Sequence, residues 1–232
     1  MLTDRYFTRR KVRPYISALF GLLLLLLLPG ASKPLVAASK PLLAATNSGL
    51  ASAAVDTALQ YVGERETRGY NRSPFIDKIN RLAGVPVGSS WCMASAFFSY
   101  HAAAAALGVR NPLLRTASVS AQVRFALQAG SGLQVIRLRG IVGAERISVM
   151  KGDVLCAKRG GGTAGDLGRL WPGHVELAVA DYGATVATVG GNTSSGRRGS
   201  QRDGDGQWRR VRPKAWFLVL LRVAPTGRGP AA

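Results

Sequence analysis

The pattern of apolar and polar positions divides the chain into a helical first half and a β-rich second half. In "SGLASAAVDTALQYVG", apolar residues at Leu50, Val55, Leu59 and Val62 follow helical spacing. Gly63 then suits the end of this predicted first helix, because glycine readily adopts the backbone conformation that closes a helix.

Two further helices are predicted before residue 109. In "SPFIDKINRLAG", Ser73 can cap the start, Pro74 suits the first turn and Gly84 suits the end. The stretch "SSWCMASAFFSYHAAAAALG" predicts a third helix that opens on Trp91 and Cys92 and closes at its final glycine. A thiol at the start of a helix makes this segment the first candidate for reactive chemistry.

A fourth helix is predicted from Ser118, which can cap it, to Ala129, which precedes Gly130. Beyond it the pattern becomes typical of strands separated by glycine-rich loops. The segments are "GDVLCAKR", "GHVELAVADYGATVATVGGN" and "AWFLVLLRV". Helices first and strands later predict an α+β domain in which N-terminal helices pack on an antiparallel β-sheet.

The second of these segments predicts a β-hairpin, because a short loop at 182–184 separates two apolar runs. A three-residue loop places Asp181 opposite Thr185. The same register brings His174 opposite Asn192, within about 5 Å on one face of the sheet.

The N-terminal segment has the layout of an export signal. A basic head precedes an apolar run of about 13 residues, 16–28, which is shorter than the roughly 20 residues that a membrane-spanning helix needs. We therefore interpret 1–30 as a signal peptide rather than as an N-terminal membrane segment. Residues 31–48, where ASKPL occurs twice, are predicted to be a linker, 49–223 the catalytic domain and 224–232 a flexible tail.

The chain is strongly basic, with 31 lysines and arginines, 12 acidic residues and a formal net charge of +19. For an exported protein, such a charge points to an anionic cell envelope as a partner. The cluster formed by Arg209, Arg210, Arg212 and Lys214 is interpreted as a solvated basic face.

The two cysteines differ in their sequence surroundings. Cys92 begins the third predicted helix, where unpaired backbone N–H groups and the positive end of the helix dipole stabilise a thiolate. Cys156 lies inside the apolar strand "DVLCA", where a thiol behaves as a small hydrophobic group. Cys92 is therefore the candidate nucleophile; a buried structural thiol or a disulfide with Cys156 are the alternatives.

A thiol nucleophile needs a base within hydrogen-bonding reach, and the chain contains two histidines. His101 follows Cys92 by about 900° of helical rotation and about 13 Å along the axis, which places it out of reach. His174 remains as the candidate base. Asn192, beside it in the predicted register, can orient the imidazole, and Glu176, two residues along the same strand face, is the alternative orienting residue.

Four segments in order, "WCMASAFFSY", "GDVLC", "GHVELAV" and "GNTSSG", resemble the CHAP family, the cysteine, histidine-dependent amidohydrolases and peptidases that cut peptidoglycan. The resemblance extends over residues 50–222. It implies a papain-like, NlpC-like fold with Cys92 as nucleophile, His174 as base and Asn192 as the polar third residue. An NlpC-type peptidase would usually place a second histidine or another polar residue after the base, and no histidine follows His174.

The lead-in to Cys92, "VGERETRGYNRSPFIDKINRLAGVPVGSSWC", is also similar to the family. This similarity makes Glu66, Asn71 and Trp91 candidate substrate-contacting residues. The chain departs from the family pattern at 190–192, where many members have Glu-Gly-Asn and this chain has Gly-Gly-Asn. The carboxylate is missing there, and Glu176 is the residue that could replace it.

These observations lead us to expect an exported peptidoglycan hydrolase of the periplasm, cell envelope or extracellular space. It would cleave an amide or peptide bond through a thioester intermediate. Anionic envelope polymers are further expected partners, and a membrane only if the N-terminal segment is retained. The alternatives are a weak or inactive wall-binding protein of the same fold and a protein that binds polyanions; nucleic acid is not expected, because charge alone favours it.

No cofactor or metal is expected. The stretch "DGDGQ" at 203–207 hints at a calcium loop, but Lys214 stands where such a loop needs its final glutamate, so a turn is predicted. Two cysteines and one available histidine also lack the spacing of a zinc site.

Overall fold

The computed structural model describes residues 47–67, 70–159, 167, 169, 171, 173–195 and 204–224. The helices are α1 (Asn47–Gln60), α2 (Pro74–Leu82), α3 (Cys92–Leu107) and α4 (Val119–Ala126). The strands are β1 (Leu133–Arg137), β2 (Val154–Lys158), β3 (Gly173–Tyr182), β4 (Thr185–Thr193), β5 (Gly206–Pro213) and β6 (Val219–Val223). Two 3-10 helices, Ala144–Arg146 and Lys214–Trp216, lie in the connections.

The predicted helix ends are largely confirmed. The Ser73 hydroxyl accepts from the Ile76 N–H at 3.1 Å, with Pro74 in the first turn of α2, and Ser118 caps α4 in the same way. The last turn of α4 differs from the prediction, because the helix ends at Ala126 and not at Ala129. There the Ser131 hydroxyl donates to the Ala126 carbonyl at 3.1 Å, which satisfies a carbonyl at the helix end.

The strands form one antiparallel sheet in the order β1-β6-β2-β3-β4-β5, and the helices pack on it. The α+β class with helices on an antiparallel sheet is therefore confirmed. Two strands, β1 and β5, were not predicted. The sequence of β5, "GQWRRVRP", carries three arginines and lacks the apolar run that identified the other strands.

In the hairpin of β3 and β4, the pairing next to the loop differs from the predicted register, and the pairing farther from the loop agrees with it. Its loop has two residues and Tyr182 pairs with Thr185, so the predicted pairing of Asp181 with Thr185 is wrong. Gly183, at φ 76°, takes the first loop position, as two-residue hairpins of type II′ require. A β-bulge between Ala178 and Ala180 then restores the predicted register, because Leu177 pairs with Val189.

Helix α3 lies at the centre of the main core. Most of its residues are buried, including Met93, Phe97 and Tyr100, and it packs against α1, β3 and β4. A helix that is apolar on all sides is typical of a core position. Because α3 is held on several sides, its first residue has a fixed place relative to the sheet.

The predicted signal peptide at 1–30 and the linker at 31–48 lie outside the described residues except for Asn47 and Ser48, and α1 already begins at Asn47. The tail predicted at 224–232 lies outside them except for Ala224. Among the described helices, none has the length and apolar character needed to cross a membrane.

Candidate active site

Cys92 is the first residue of α3, as predicted. The preceding Trp91 makes no side-chain cap on the helix, so the first backbone N–H groups of α3 receive no such bond from it. The cysteine is buried, with 3% of its surface exposed. An anion at this position gains from the positive end of the helix dipole.

His174 lies near the start of β3 and is also buried, with 1% exposure. Its Nε2 atom is 3.2 Å from the Glu176 carboxylate and 3.2 Å from the Thr193 hydroxyl. A carboxylate at Nε2 fixes the proton on that nitrogen. The other ring nitrogen, Nδ1, is buried and has no hydrogen-bond partner among the described residues, so it is the ring nitrogen that Glu176 and Thr193 leave available to Cys92.

The ionisation of Cys92 and His174 shows that the two side chains act on each other. Burial alone would raise the pKa of Cys92, but hydrogen bonding to His174 and the charge of the imidazolium lower it below the ordinary thiol value. Smaller contributions in the same direction come from the charge of Arg159 and from the Val175 backbone N–H. These shifts favour a thiolate next to an imidazolium.

His174 shifts in the complementary direction. Burial would lower its pKa, but hydrogen bonds to Cys92 and Glu176, together with their negative charges, raise it to about 9. The site therefore holds a buried proton on the imidazole at neutral pH.

Glu176 is fully enclosed and bonded on both carboxylate oxygens. Its Oε1 accepts from the Arg212 guanidinium at 2.9 Å, and its Oε2 accepts a short hydrogen bond from the Thr188 hydroxyl. Burial would raise its pKa, but the contacts with His174 and then with Arg212 lower it to about 2. The alternative orienting residue named from the sequence is thus the one in contact with the imidazole.

Asn192 does not take the orienting position predicted for it. Its side chain is buried, with 1% exposure, but neither amide atom has a hydrogen-bond partner among the described residues. Its backbone lies in the left-handed region at φ 51°, where β4 is irregular in its pairing with β5. The predicted position assumed regular pairing up to this residue, whereas Glu176 and Thr193 occupy the Nε2 side of His174.

The three candidate substrate-contacting residues, Glu66, Asn71 and Trp91, are linked to one another by hydrogen bonds. Trp91 is fully buried, and its indole N–H donates to one oxygen of Glu66 at 3.2 Å. The backbone N–H of Asn71 donates to the other oxygen at 3.0 Å. Trp91 therefore cannot contact a substrate in this arrangement; it ties the segment before Cys92 to the loop that carries Glu66.

The other histidine and the other cysteine stand apart from this chemistry. His101 is exposed and stacks on Phe97 at 5.9 Å, which agrees with its predicted position on the far side of the helix. Cys156 is buried in β2 and forms no disulfide with Cys92, since both thiols are free. Burial raises the pKa of Cys156, with a smaller contribution from the charge of Cys92.

Sequence reasoning missed the residues that hold Glu176. Arg212 was assigned to a solvated face, yet its side chain is only 16% exposed, and its guanidinium also lies 4.7 Å from the Trp216 ring. Lys214 from the same cluster is buried and forms an ion pair with Asp181 at 2.8 Å. The available signal was the spacing of Arg210 and Arg212 in "WRRVRP", because residues two apart in a strand lie on the same face of the sheet.

The site contains no recognisable metal centre. No cluster of three or more histidine, cysteine or acidic side chains suited to a metal occurs in the described part of the chain. Asp205 of the "DGDGQ" stretch instead accepts from the Ser195 backbone N–H at 2.6 Å and from the Trp208 indole at 3.0 Å. Asp203 lies outside the described residues, and β5 begins at Gly206, within the stretch predicted as a turn. Comparison of the chain with models of protein families, with curated proteins and with solved structures found no match.

Proposed function

We propose that the protein is an exported cysteine amidohydrolase or peptidase with a papain-like fold, similar to the CHAP family, and that peptidoglycan is its substrate. The observation that carries the proposal is the pairing of Cys92 with His174, which lowers the pKa of the thiol and raises that of the imidazole. A thiolate at a helix start beside an imidazolium is the arrangement that thiol hydrolases use for acyl transfer.

The reaction follows from the positions of the two groups. The Cys92 thiolate attacks the carbonyl carbon of an amide, and the backbone N–H groups at the start of α3 are placed to stabilise the oxyanion. The imidazolium of His174 gives its proton to the departing amine as the C–N bond breaks and a thioester remains. His174 then takes a proton from water, the hydroxide attacks the thioester, and the thiolate is released with a carboxylic acid.

Peptidoglycan as the substrate is supported by three features of the chain. The N-terminal layout is typical of export, the net charge of +19 favours anionic envelope polymers, and the segments around Cys92 and His174 resemble a family that cuts this polymer. Together these features make an amide or peptide bond of the cell wall the expected target.

The proposal is tested by incubating purified sacculi with the protein and measuring the released fragments by mass spectrometry, which also identifies the bond cut. Replacement Cys92→Ala should reduce release by at least about a thousandfold, because the nucleophile is lost. Cys156→Ala is the matched control and should retain release. Undiminished release by the Cys92→Ala variant would contradict the mechanism.

A second candidate is a wall-binding protein of the same fold with little or no turnover. It is favoured by the burial of Cys92 and His174, which are 3% and 1% exposed among the described residues. Sedimentation of the wild-type protein with sacculi, without any fragment release that depends on Cys92, would support this second function over hydrolysis.

A further inference from the structure

The third residue of the site is decided by the contacts around Nε2 of His174. Glu176 places Oε1 3.2 Å from this nitrogen, whereas the amide of Asn192 bonds to nothing in the described residues. The Thr193 hydroxyl, also 3.2 Å from Nε2, donates to the Gly191 carbonyl at 3.3 Å and can accept from the same ring N–H. Among the described residues, the charged group in contact with Nε2 of the ring is therefore the carboxylate of Glu176.

Glu176 is itself held in one orientation. The Arg212 guanidinium binds Oε1 through Nη2 at 2.9 Å, and its Nε lies 3.4 Å from Oε2, the oxygen that also accepts from Thr188. A charged carboxylate with no solvent exposure of its side chain is stable only when such partners compensate it. The guanidinium lies over Trp216, whose ring is 5.9 Å from the His174 ring.

The neighbouring strand leaves room for this carboxylate. A Cβ atom at Gly190 would lie 2.8 Å from Cγ of Glu176 and 3.0 Å from the Val175 carbonyl oxygen, closer than side chains tolerate. The backbone of Gly190 is otherwise ordinary, since it does not have a positive φ. The Glu176 side chain therefore fits in its present position only because residue 190 has no side chain.

From these contacts we infer that Glu176, anchored by Arg212 and Thr188, is the positioning residue of His174, and that Gly190 is glycine because the Glu176 side chain occupies its place. The role assigned to Glu176 rests on the proposed thiol chemistry of Cys92. Glu176 keeps the proton on Nε2, fixes the orientation of the ring so that Nδ1 is free for the proton transfers, and stabilises the imidazolium that must protonate the leaving amine.

The test is a titration of the histidine ring signals by NMR, without any substrate. The chain has two histidines, so His101, exposed and outside the site, is an internal reference. Replacement Glu176→Gln keeps the shape and removes the charge. We expect the midpoint of His174 to fall by about one pH unit or more, a tenfold change in proton affinity, while that of His101 stays in place.

The competing assignment is tested in parallel by Asn192→Ala, for which we expect no change in the His174 midpoint. Gly190→Ala should shift that midpoint in the same direction as Glu176→Gln, because the added methyl group displaces the carboxylate. If Glu176→Gln does not fold, Glu176→Asp keeps the charge but withdraws the carboxylate from Nε2, and a smaller downward shift is expected.

An unchanged His174 midpoint in folded Glu176→Gln or, failing that, in Glu176→Asp would overturn the inference. An equal fall in Asn192→Ala would overturn it as well. In fragment release, Glu176→Gln should lower kcat and move the alkaline limb of the pH profile to lower pH with little change in KM. Because the titration needs no turnover, failure of the proposed hydrolysis and failure of this inference remain distinguishable.

Discussion

Cys92 and Cys156 are both buried, free thiols on elements of the same core, yet their surroundings drive their ionisation in opposite directions. Cys92 begins α3 and shares an interaction with His174, and its pKa falls below the ordinary thiol value. Cys156 lies within β2, where among the described residues its thiol makes one weak hydrogen bond, to the Val154 carbonyl at 3.8 Å, and its pKa rises.

This difference shows that burial does not by itself make a thiol inert. Desolvation opposes the thiolate at both positions and is the largest single influence on each. At Cys92 it is overcome by a cation held next to the sulfur, and at Cys156 nothing opposes it. The decisive part of the site is therefore the network behind His174, which keeps that imidazole charged.

The strongest test of this comparison is the reaction of the folded protein with iodoacetamide, followed by mass spectrometry of each cysteine. Cys92 should react at least about a hundredfold faster than Cys156 at neutral pH, because only Cys92 has a stabilised thiolate. In His174→Ala, the labelling of Cys92 should move to higher pH than in the wild-type protein, since the main influence that lowers the pKa of this thiol is lost. Equal labelling of the two cysteines in the wild-type protein would remove the basis of the comparison.

The second test concerns Glu176, which supports His174 and should make the stability of the protein sensitive to acid. The pKa of Glu176 is lowered from 4.5 to about 2 in the folded protein, so its contribution to stability is complete above pH 4.5 and is lost as pH falls toward 2. We expect the free energy of unfolding to decrease by about 2–3 kcal/mol from this group over that interval.

The measurement is chemical denaturation at several acidic pH values. Glu176→Gln should flatten the dependence, whereas Glu145→Gln, a control on a carboxylate whose side chain is 56% exposed, should leave it unchanged. A slope that is the same in all three proteins would show that the pKa of Glu176 does not differ between the folded and unfolded states.

The smallest expected effect concerns Cys156. Replacement Cys156→Ala removes one buried sulfur from the core and should lower the free energy of unfolding by about 1–2 kcal/mol. The labelling rate and pH profile of Cys92 should hardly change, because Cys156 contributes only a minor charge interaction. Thermal denaturation and alkylation of the same sample check both statements, and a large shift in the profile of Cys92 would indicate that the two thiols are coupled.

The helices and the two principal site residues were accessible from the sequence for identifiable reasons. Ser73 and Ser118 mark helix starts by local hydrogen bonds, and His101 is excluded by helical phase, which depends on spacing alone. The strand β5 was missed because it carries three arginines and lacks an apolar run. The contact between Arg212 and Glu176 was missed for the related reason that Arg212 belongs to that strand.

In the β3–β4 hairpin, the predicted pairing beyond the bulge is correct although the predicted loop length is not. The loop is one residue shorter than predicted, and the bulge between Ala178 and Ala180 supplies the missing residue. No local pattern in "VELAVADYGATV" distinguishes these two possibilities, because both keep the apolar positions on their faces.

The sequence by itself determined the α+β class, the thiol at a helix start and the choice of His174 over His101, because these depend on periodicity, capping and spacing along one element. Only the tertiary structure decided which side chain contacts Nε2 of His174. That choice depends on three strands meeting side by side, with Glu176 on β3, the space left by Gly190 on β4 and Arg212 on β5. Contacts between strands distant in sequence are set by packing, and packing leaves no periodic signal in the chain.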